Sequence, residues 1–376
     1  MKKTYMVLIT GFLIAAASCS KGNEGVKPET TIQGNNTTTG SPTFTTTDAT
    51  TAYTAFNRYY YNPTKKLYYA NTLQTNLGAI WTQAIYWDMA MNVYERTKDH
   101  SQMTMVNDMY QGGFNQYDGY NWDNTTTWFI YDDMMWWVMA LARANQLTGN
   151  AAYLQKAISG FERVWNGSYD PVDGGMFWDF KHSGKNACIN FPTVIAAMRL
   201  YKITGNKSYY DKALSIYQWA KINLVNSEGR VADHKIGNNA PGYEDYTYNQ
   251  GTAIGAALAL YNESKDVGYL NDAKLAADYT KNKMGTNNIL PAEGDFNEQG
   301  VLKAIFAQYV MQLIKEAGQT QYLSWIQQNV NAGWNNRDKQ RDLCWRNYAL
   351  PAPTGVMQSY ESSSIVTFMQ LCPPND

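Results

Sequence analysis

Two carboxylates stand side by side in the run Tyr131-Asp-Asp-Met-Met-Trp-Trp, at the head of an apolar, aromatic stretch. Trp128, Phe129, Tyr131, Trp136 and Trp137 crowd around them. Adjacent side chains on a helix diverge by about 100° and do not meet across its surface. At the first turn, however, both can overhang the helix end and reach into one cleft. A cleft with two carboxyl groups and an indole-rich wall suits glycosidic bond cleavage. One carboxyl protonates the leaving oxygen while the other attacks the anomeric carbon or activates a water. The pair also has a purely structural explanation, because Asp is a favoured N-cap and is stabilised by the positive end of the helix dipole. Adjacent carboxylates at a helix start lie within about 5–6 Å of each other, close to the separation that accompanies retention of configuration. Like charges that close raise one of the two pKa values, so one Asp is expected to stay ionised as nucleophile and the other protonated as acid. These arguments do not say which is which.

Holding two carboxyls in register requires rigid elements, and from Ala49 onward the chain reads as helix and repeats. Met91-Asn-Val-Tyr-Glu-Arg-Thr-Lys-Asp-His belongs to a first unit. The turns Thr148-Gly-Asn, Thr204-Gly-Asn and Ser264-Lys-Asp follow in the next three. Tyr153, Tyr209, Tyr269 and Tyr322 recur at intervals of roughly 53–60 residues, the mark of one supersecondary unit repeated. Each unit reads as helix, short turn, helix, with Gly149 and Gly205 where a helix C-terminus wants a left-handed residue. The Ala-rich helices before the turns are expected to be buried, and those after them are amphipathic. Five hairpins result. The helical stretches 49–61 and 362–371 supply a sixth if they pair. Six hairpins closed into a ring make an all-α (α/α)6 toroid; left open, they make a superhelical solenoid.

The long Gly- and aromatic-rich links 111–127, 167–186, 226–247, 286–299 and 333–361 favour the toroid, since links of this length in a compact domain usually carry function. All fall at one end, where the inner helices start. That end is expected to gather Trp87 and Asp88, then Tyr131, Asp132 and Asp133, then Asn190. Tyr248, Asn249, Gln250 and Gly251 follow, with Asn297, Gln299 and the indole of Trp178. Asn, Gln and Tyr offer donors and acceptors suited to sugar hydroxyls, although near helix starts they also satisfy backbone groups. Trp136 and Trp137, one turn into their helix, are expected in the core or behind the site.

The first residues have the anatomy of an export signal. Lys2 and Lys3 form a positive n-region, Met6 to Ala17 a short apolar one, and Ala16-Ala17-Ser18-Cys19 is similar to a bacterial lipobox. Residues 1–18 are thus expected to be a lipoprotein signal, with Cys19 lipidated in an exported, membrane-anchored protein, periplasmic or on the cell surface. Residues 19–48, rich in Thr, Gly and Asn, read as a flexible tether, and 49–376 as the catalytic domain. The remaining cysteines, Cys188, Cys344 and Cys372, are odd in number and leave any disulfide open. They and the scattered His100, His182 and His234 lack metal-ligand spacing, and no cofactor is expected. A net charge of −1 without a basic block argues against a nucleic-acid partner.

Taken together, these residues resemble glycoside hydrolase family 76, the endo-α-1,6-mannanases. Tyr131-Asp-Asp-Met-Met-Trp-Trp is similar to its twin-aspartate motif and Asp173-Gly-Gly-Met-Phe-Trp to its Gly-Gly-aromatic loop. Tyr248-Asn-Gln-Gly-Thr-Ala-Ile-Gly-Ala-Ala resembles its most distinctive run, and Lys303-Ala-Ile-Phe-Ala-Gln-Tyr its fifth-unit helix. The resemblance spans roughly 49–371. It implies an (α/α)6 fold and retaining, endo-acting cleavage of α-1,6-linked mannan of the fungal cell-wall type. It also implies Asp132 as nucleophile and Asp133 as acid/base. Separately, a monomer is expected, although the sequence does not read out the oligomeric state. Tyr131 stands where the family often has Trp, and Met-Phe-Trp replaces a plainer Ile-Trp-Trp, so subsite preferences stay open. The alternatives are a non-catalytic glycan-binding lipoprotein, a transglycosylase on α-mannosyl glycans, and a helical-repeat scaffold.

Overall fold

The computed structural model describes residues 43–375. The expected leader, the lipidated Cys19 and most of the expected tether lie outside the described residues. The last part of that tether does not behave as one. Phe44 is buried, and Thr45 caps the first helix in a reciprocal box with Asp48, so the packed fold begins ahead of Ala49.

Twelve α-helices are described: α1 (Thr46–Tyr60), α2 (Ile80–Thr97), α3 (His100–Gln116), α4 (Tyr131–Thr148), α5 (Ala151–Ser168) and α6 (Ala187–Thr204), then α7 (Lys207–Leu224), α8 (Thr247–Ser264), α9 (Val267–Tyr279), α10 (Leu302–Glu316), α11 (Leu323–Asn335) and α12 (Ser359–Leu371). The even-numbered helices pack side by side in the order α2, α4, α6, α8, α10, α12, and α12 returns to α2. The ring is therefore closed, and the fold is an (α/α)6 toroid. The odd-numbered helices lie outside. The two ends of the chain form the sixth hairpin, as expected. Tyr60 and Ser362 share a hydroxyl hydrogen bond of 2.8 Å, Gln370 donates to the Ala49 carbonyl at 3.0 Å, and Asn375 N–H reaches the Phe44 carbonyl at 2.9 Å.

One local device builds four of the hairpins. A Thr or Ser ends the inner helix, a left-handed residue turns the chain, and an Asx caps the outer helix. Lys98, Gly149, Gly205 and Lys265 have φ of 55°, 69°, 69° and 60°. Asp99, Asn150, Asn206 and Asp266 then accept the N–H of Ser101, Ala152, Ser208 and Gly268 at 2.8–3.0 Å. This is the N-cap hydrogen bond that short polar side chains make best. Inner helices are buried around nearly their whole circumference, which requires small residues where helices cross closely. A Cβ on Gly251 would stand 2.7 Å from the Phe306 Cα, and one on Gly255 would meet the Tyr309 ring at 2.3 Å.

The inner helices all start at one end, and five of those starts lack a side-chain cap of their own: Ala79, Ile130, Asn186, Tyr246 and Val301 make no such bond. For several, the following unit supplies the partner instead. Tyr131 N–H donates to the Trp178 carbonyl at 3.0 Å, Ala187 N–H to the Asp233 carbonyl at 2.8 Å, and Thr247 N–H to the Glu293 carboxylate at 2.8 Å. Three of the five long links are thereby laced onto the helix start before them.

Candidate active site

That end of the ring opens into a cleft of about 760 Å³. Its wall includes Trp81, Tyr117, Phe129, Asp132, Asp133, Trp136, Trp178, Cys188, Asp233, Tyr246, Tyr248, Phe296 and Glu298, and none of its lining residues is Lys or Arg. Asp132 and Asp133 occupy the first turn of α4, where Ile130 provides no cap.

The two carboxyls have different surroundings. Burial pushes Asp132 up to about 6, and the nearby Asp233 adds to the rise. Hydrogen bonds from the Cys188 thiol and from the backbone N–H groups of Asp132 and Asp133 hold it back. Asp133 is driven well above the carboxylate range by burial, then by the charges of Asp132 and Glu298. Charge is thus favoured on Asp132 and a proton on Asp133. Cys188, in the first turn of α6, keeps its own proton because burial and the charges of Asp132 and Asp233 push its pKa well up. It therefore acts as a donor to Asp132, while the Tyr248 hydroxyl bonds to its sulfur.

Aromatic rings form the walls. Trp136 packs against Tyr248 at 6.3 Å between ring centres and against Trp81 at 6.2 Å, so it reaches the cleft floor rather than lying behind the site. Trp137 is core: it is fully buried and donates to the Ile80 carbonyl at 2.9 Å. Phe129 and Phe296 stand exposed on the rim.

Of the residues singled out in the sequence, Asp132, Asp133, Trp178 and Tyr248 line the cleft together with Asn297 and Gln299. Others do not reach it. Trp87 is buried two turns down α2, donating to the Val106 carbonyl at 2.8 Å. Asp88 points to the opposite side of the ring interior, paired with Arg143 at 3.2 Å. Both were expected at a helix start, but α2 begins at Ile80, so Trp81 holds the place assigned to Trp87. Tyr131 is buried against Phe180 at 4.5 Å. Asn190 clamps the 169–186 loop through both Met176 backbone groups, at 2.8 and 3.0 Å. Gln250 ties down Val231, Gly229 and Ala276 in the same way. Asn249 is buried and touches the site only through Asp233, at 3.2 Å. Cys188, Cys344 and Cys372 are all buried free thiols, so no disulfide joins them.

Trp81, Cys188, Asp233 and Glu298 were not anticipated. Asp233 sits beside a short ladder in which Lys185 and Asn186 pair with Lys235 and His234. Glu298 lies between Asn297 and Gln299, both of which were expected at this end.

The glycosyl hydrolase family 76 model matches residues 44–371. Among solved structures, an α-1,6-mannanase of Salegentibacter sp. HEL1_6 is 25% identical, with a TM-score of 0.79 over 86% of this chain and 98% of that one. An inactive variant of that enzyme, with two consecutive aspartates replaced by alanine, superposes equally well (25% identity, TM-score 0.79, 86% and 97% covered) and was solved with an α-1,6-linked mannotetraose. Dfg5 from Chaetomium thermophilum, solved with glucosamine, shares the fold at 14% identity, with a TM-score of 0.70 over 87% of this chain and 90% of that one. No curated protein matches the sequence.

Proposed function

The chain belongs to glycosyl hydrolase family 76, and from that premise we propose that its cleft hydrolyses α-1,6-mannosidic bonds within mannan, with retention of configuration. Asp133 protonates the glycosidic oxygen, and Asp132 attacks the anomeric carbon to form a glycosyl ester. Asp133, now a carboxylate, takes a proton from the water that releases the sugar. The observation that carries this reading is the asymmetry of the pair. Hydrogen bonds from a thiol and from first-turn N–H groups favour charge on Asp132, whereas Asp133 faces only like charge. The Salegentibacter enzyme supports the substrate class: it is an α-1,6-mannanase and is inactive without two consecutive aspartates.

The test is to incubate the protein with unbranched α-1,6-mannan and follow the new anomeric centre by NMR. Short oligosaccharides appearing first as the α-anomer are expected. Asp132→Asn and Asp133→Asn should each lose about 10³-fold or more in kcat while still binding the polymer. Intact polymer with binding retained would replace this reading with a glycan-binding protein. Products longer than the starting chains would replace hydrolysis with transfer. We propose further that residues 1–18 are a lipoprotein signal and that Cys19 carries lipid, which the n-region, apolar run and lipobox-like residues support.

A further inference from the structure

The link between α9 and α10 is held in a conformation that its residues resist. Glu293, Asn297 and Glu298 have φ of 58°, 46° and 55°. Left-handed backbone is unfavourable for any residue with a Cβ, and two such residues in succession persist only where the surroundings over-determine them. The surroundings do so here. Lys303, fully buried, donates to the Pro291 and Ala292 carbonyls at 2.7 and 3.0 Å. Glu293 takes both the N–H and the hydroxyl of Thr247 at 2.8 Å. Gln299 bonds Gly294 N–H and the Tyr246 hydroxyl, each at 3.0 Å.

The outcome of this bracing is the placement of one side chain. Glu298 extends from the fifth unit to the first, where its Oε2 accepts the Trp81 indole N–H at 3.0 Å. The charged and titratable groups facing it are Asp133 on α4, Tyr86 on α2 and Tyr360 on α12. Arg346, the cation bonded to this link, is engaged by Asp295 and Glu361 at 3.1 Å each. Among the described residues, no Lys or Arg lines the cleft. Glu298 and Asp133 line the same cleft, where Asp132 and Tyr117 also face Asp133, and among the described residues the hydrogen bond that offsets the Glu298 carboxylate is the Trp81 indole N–H.

We infer that Glu298 is a positioning residue for the acid: clamped to Trp81, its carboxylate keeps the proton on Asp133 until the glycosidic oxygen takes it. This rests on the reading of Asp133 as acid/base. Asp132 exerts the same repulsion, but only while it is free. When its oxygen bonds the anomeric carbon, the C–O bond to the leaving group breaks, the Asp133 proton goes to that leaving oxygen, and the Asp132 charge is gone. The charge on Glu298 survives this step. Asp133 thus remains a competent base for the water that cleaves the ester, whose proton it receives.

Glu298→Gln tests the inference, since the amide oxygen can still accept from Trp81 while the charge is removed. The alkaline limb of kcat/KM on α-1,6-mannan is expected to fall by about one pH unit, with KM at acidic pH unchanged. Glu298→Asp, which restores the charge at shorter reach, should return the limb part of the way. Trp81→Phe, which frees the carboxylate, should move it in the same direction as Gln but less. An unmoved limb with a raised KM, or with only a lower Tm, overturns the inference in favour of sugar contact or scaffolding. A second measurement does not depend on turnover. The infrared carbonyl band of protonated Asp133, identified by its loss in Asp133→Asn, should titrate at lower pH in Glu298→Gln. A coincident midpoint overturns the inference. A shifted midpoint in a protein that cleaves no mannan upholds the coupling and sinks the mannanase reading instead.

Discussion

At the scale of single residues, the cleft gives two neighbouring aspartates different surroundings. Cys188 is the most local of these influences. Its thiol cannot ionise in this setting, so it serves Asp132 only as a donor, and removing it withdraws a bond that favours the charged form. Cys188→Ala should therefore move the acid limb of kcat/KM upward by about 0.5–1 pH unit, while Cys188→Ser keeps it nearly in place. The sign follows from Asp132 having to be ionised to attack: with the donor lost, more of it is protonated at a given pH below the limb. A limb that stays in place in Cys188→Ala would show that the first-turn N–H groups alone set the Asp132 charge. The placement of the aspartate pair at a helix start facing a cleft was legible in the sequence, because acidic residues favour the first turn of a helix and an aromatic run follows them. Cys188, Asp233 and Glu298 were not, since each reaches the cleft through contacts distant in the chain. Asp233 is bonded to Asn249, and Glu298 to Trp81, 217 positions away.

At the scale of elements, the hairpins were readable because one local device recurs. A hydroxyl residue, a left-handed turn and an Asx cap are encoded within three positions, and the period follows from them. Helix starts at the cleft were harder to read. Helices α4, α6 and α8 take partners from the next unit, and α2 starts after Ala79 without a side-chain cap, so no local signal marked its start, and Trp87 was expected where Trp81 stands. The close crossing of α8 and α10 yields a prediction at this scale. Gly255→Ala puts a methyl carbon 2.3 Å from the Tyr309 ring. A closed ring cannot open locally to admit it, so the variant should lose about 1–3 kcal/mol of stability in urea unfolding. Asp132 and Asp133 lie on α4, whose neighbours in the ring are α2 and α6 and which meets α8 and α10 across the ring interior through Trp136–Tyr248 and Met139–Tyr309, so Tm should fall by more than the pH limbs move. An unchanged urea midpoint would mean that the helices can part without cost, contrary to a sealed ring.

At the scale of the whole molecule, the pairing of α1 with α12 closes the sixth hairpin, with Ala49 and Gln370 meeting at the face away from the cleft. Cys19 precedes Phe44, the first buried residue among those described, so lipid attachment at Cys19, as proposed, should be independent of the folding of the ring. Radiolabelled fatty acid should enter the protein in a bacterial host and leave it in Cys19→Ser, which should partition to the soluble fraction with an unchanged Tm. Label retained by the variant would sink the lipobox reading. The hydrogen bonds between α1 and α12 carry one more consequence. Gln370, near the last turn of α12, meets Ala49, near the first turn of α1, so the two helices run antiparallel and the chain joins the fold where the inner helices finish. The cleft opens where they begin. A long glycan in the cleft and the chain entering at Phe44 therefore meet the ring from opposite faces, and neither lies in the other's way.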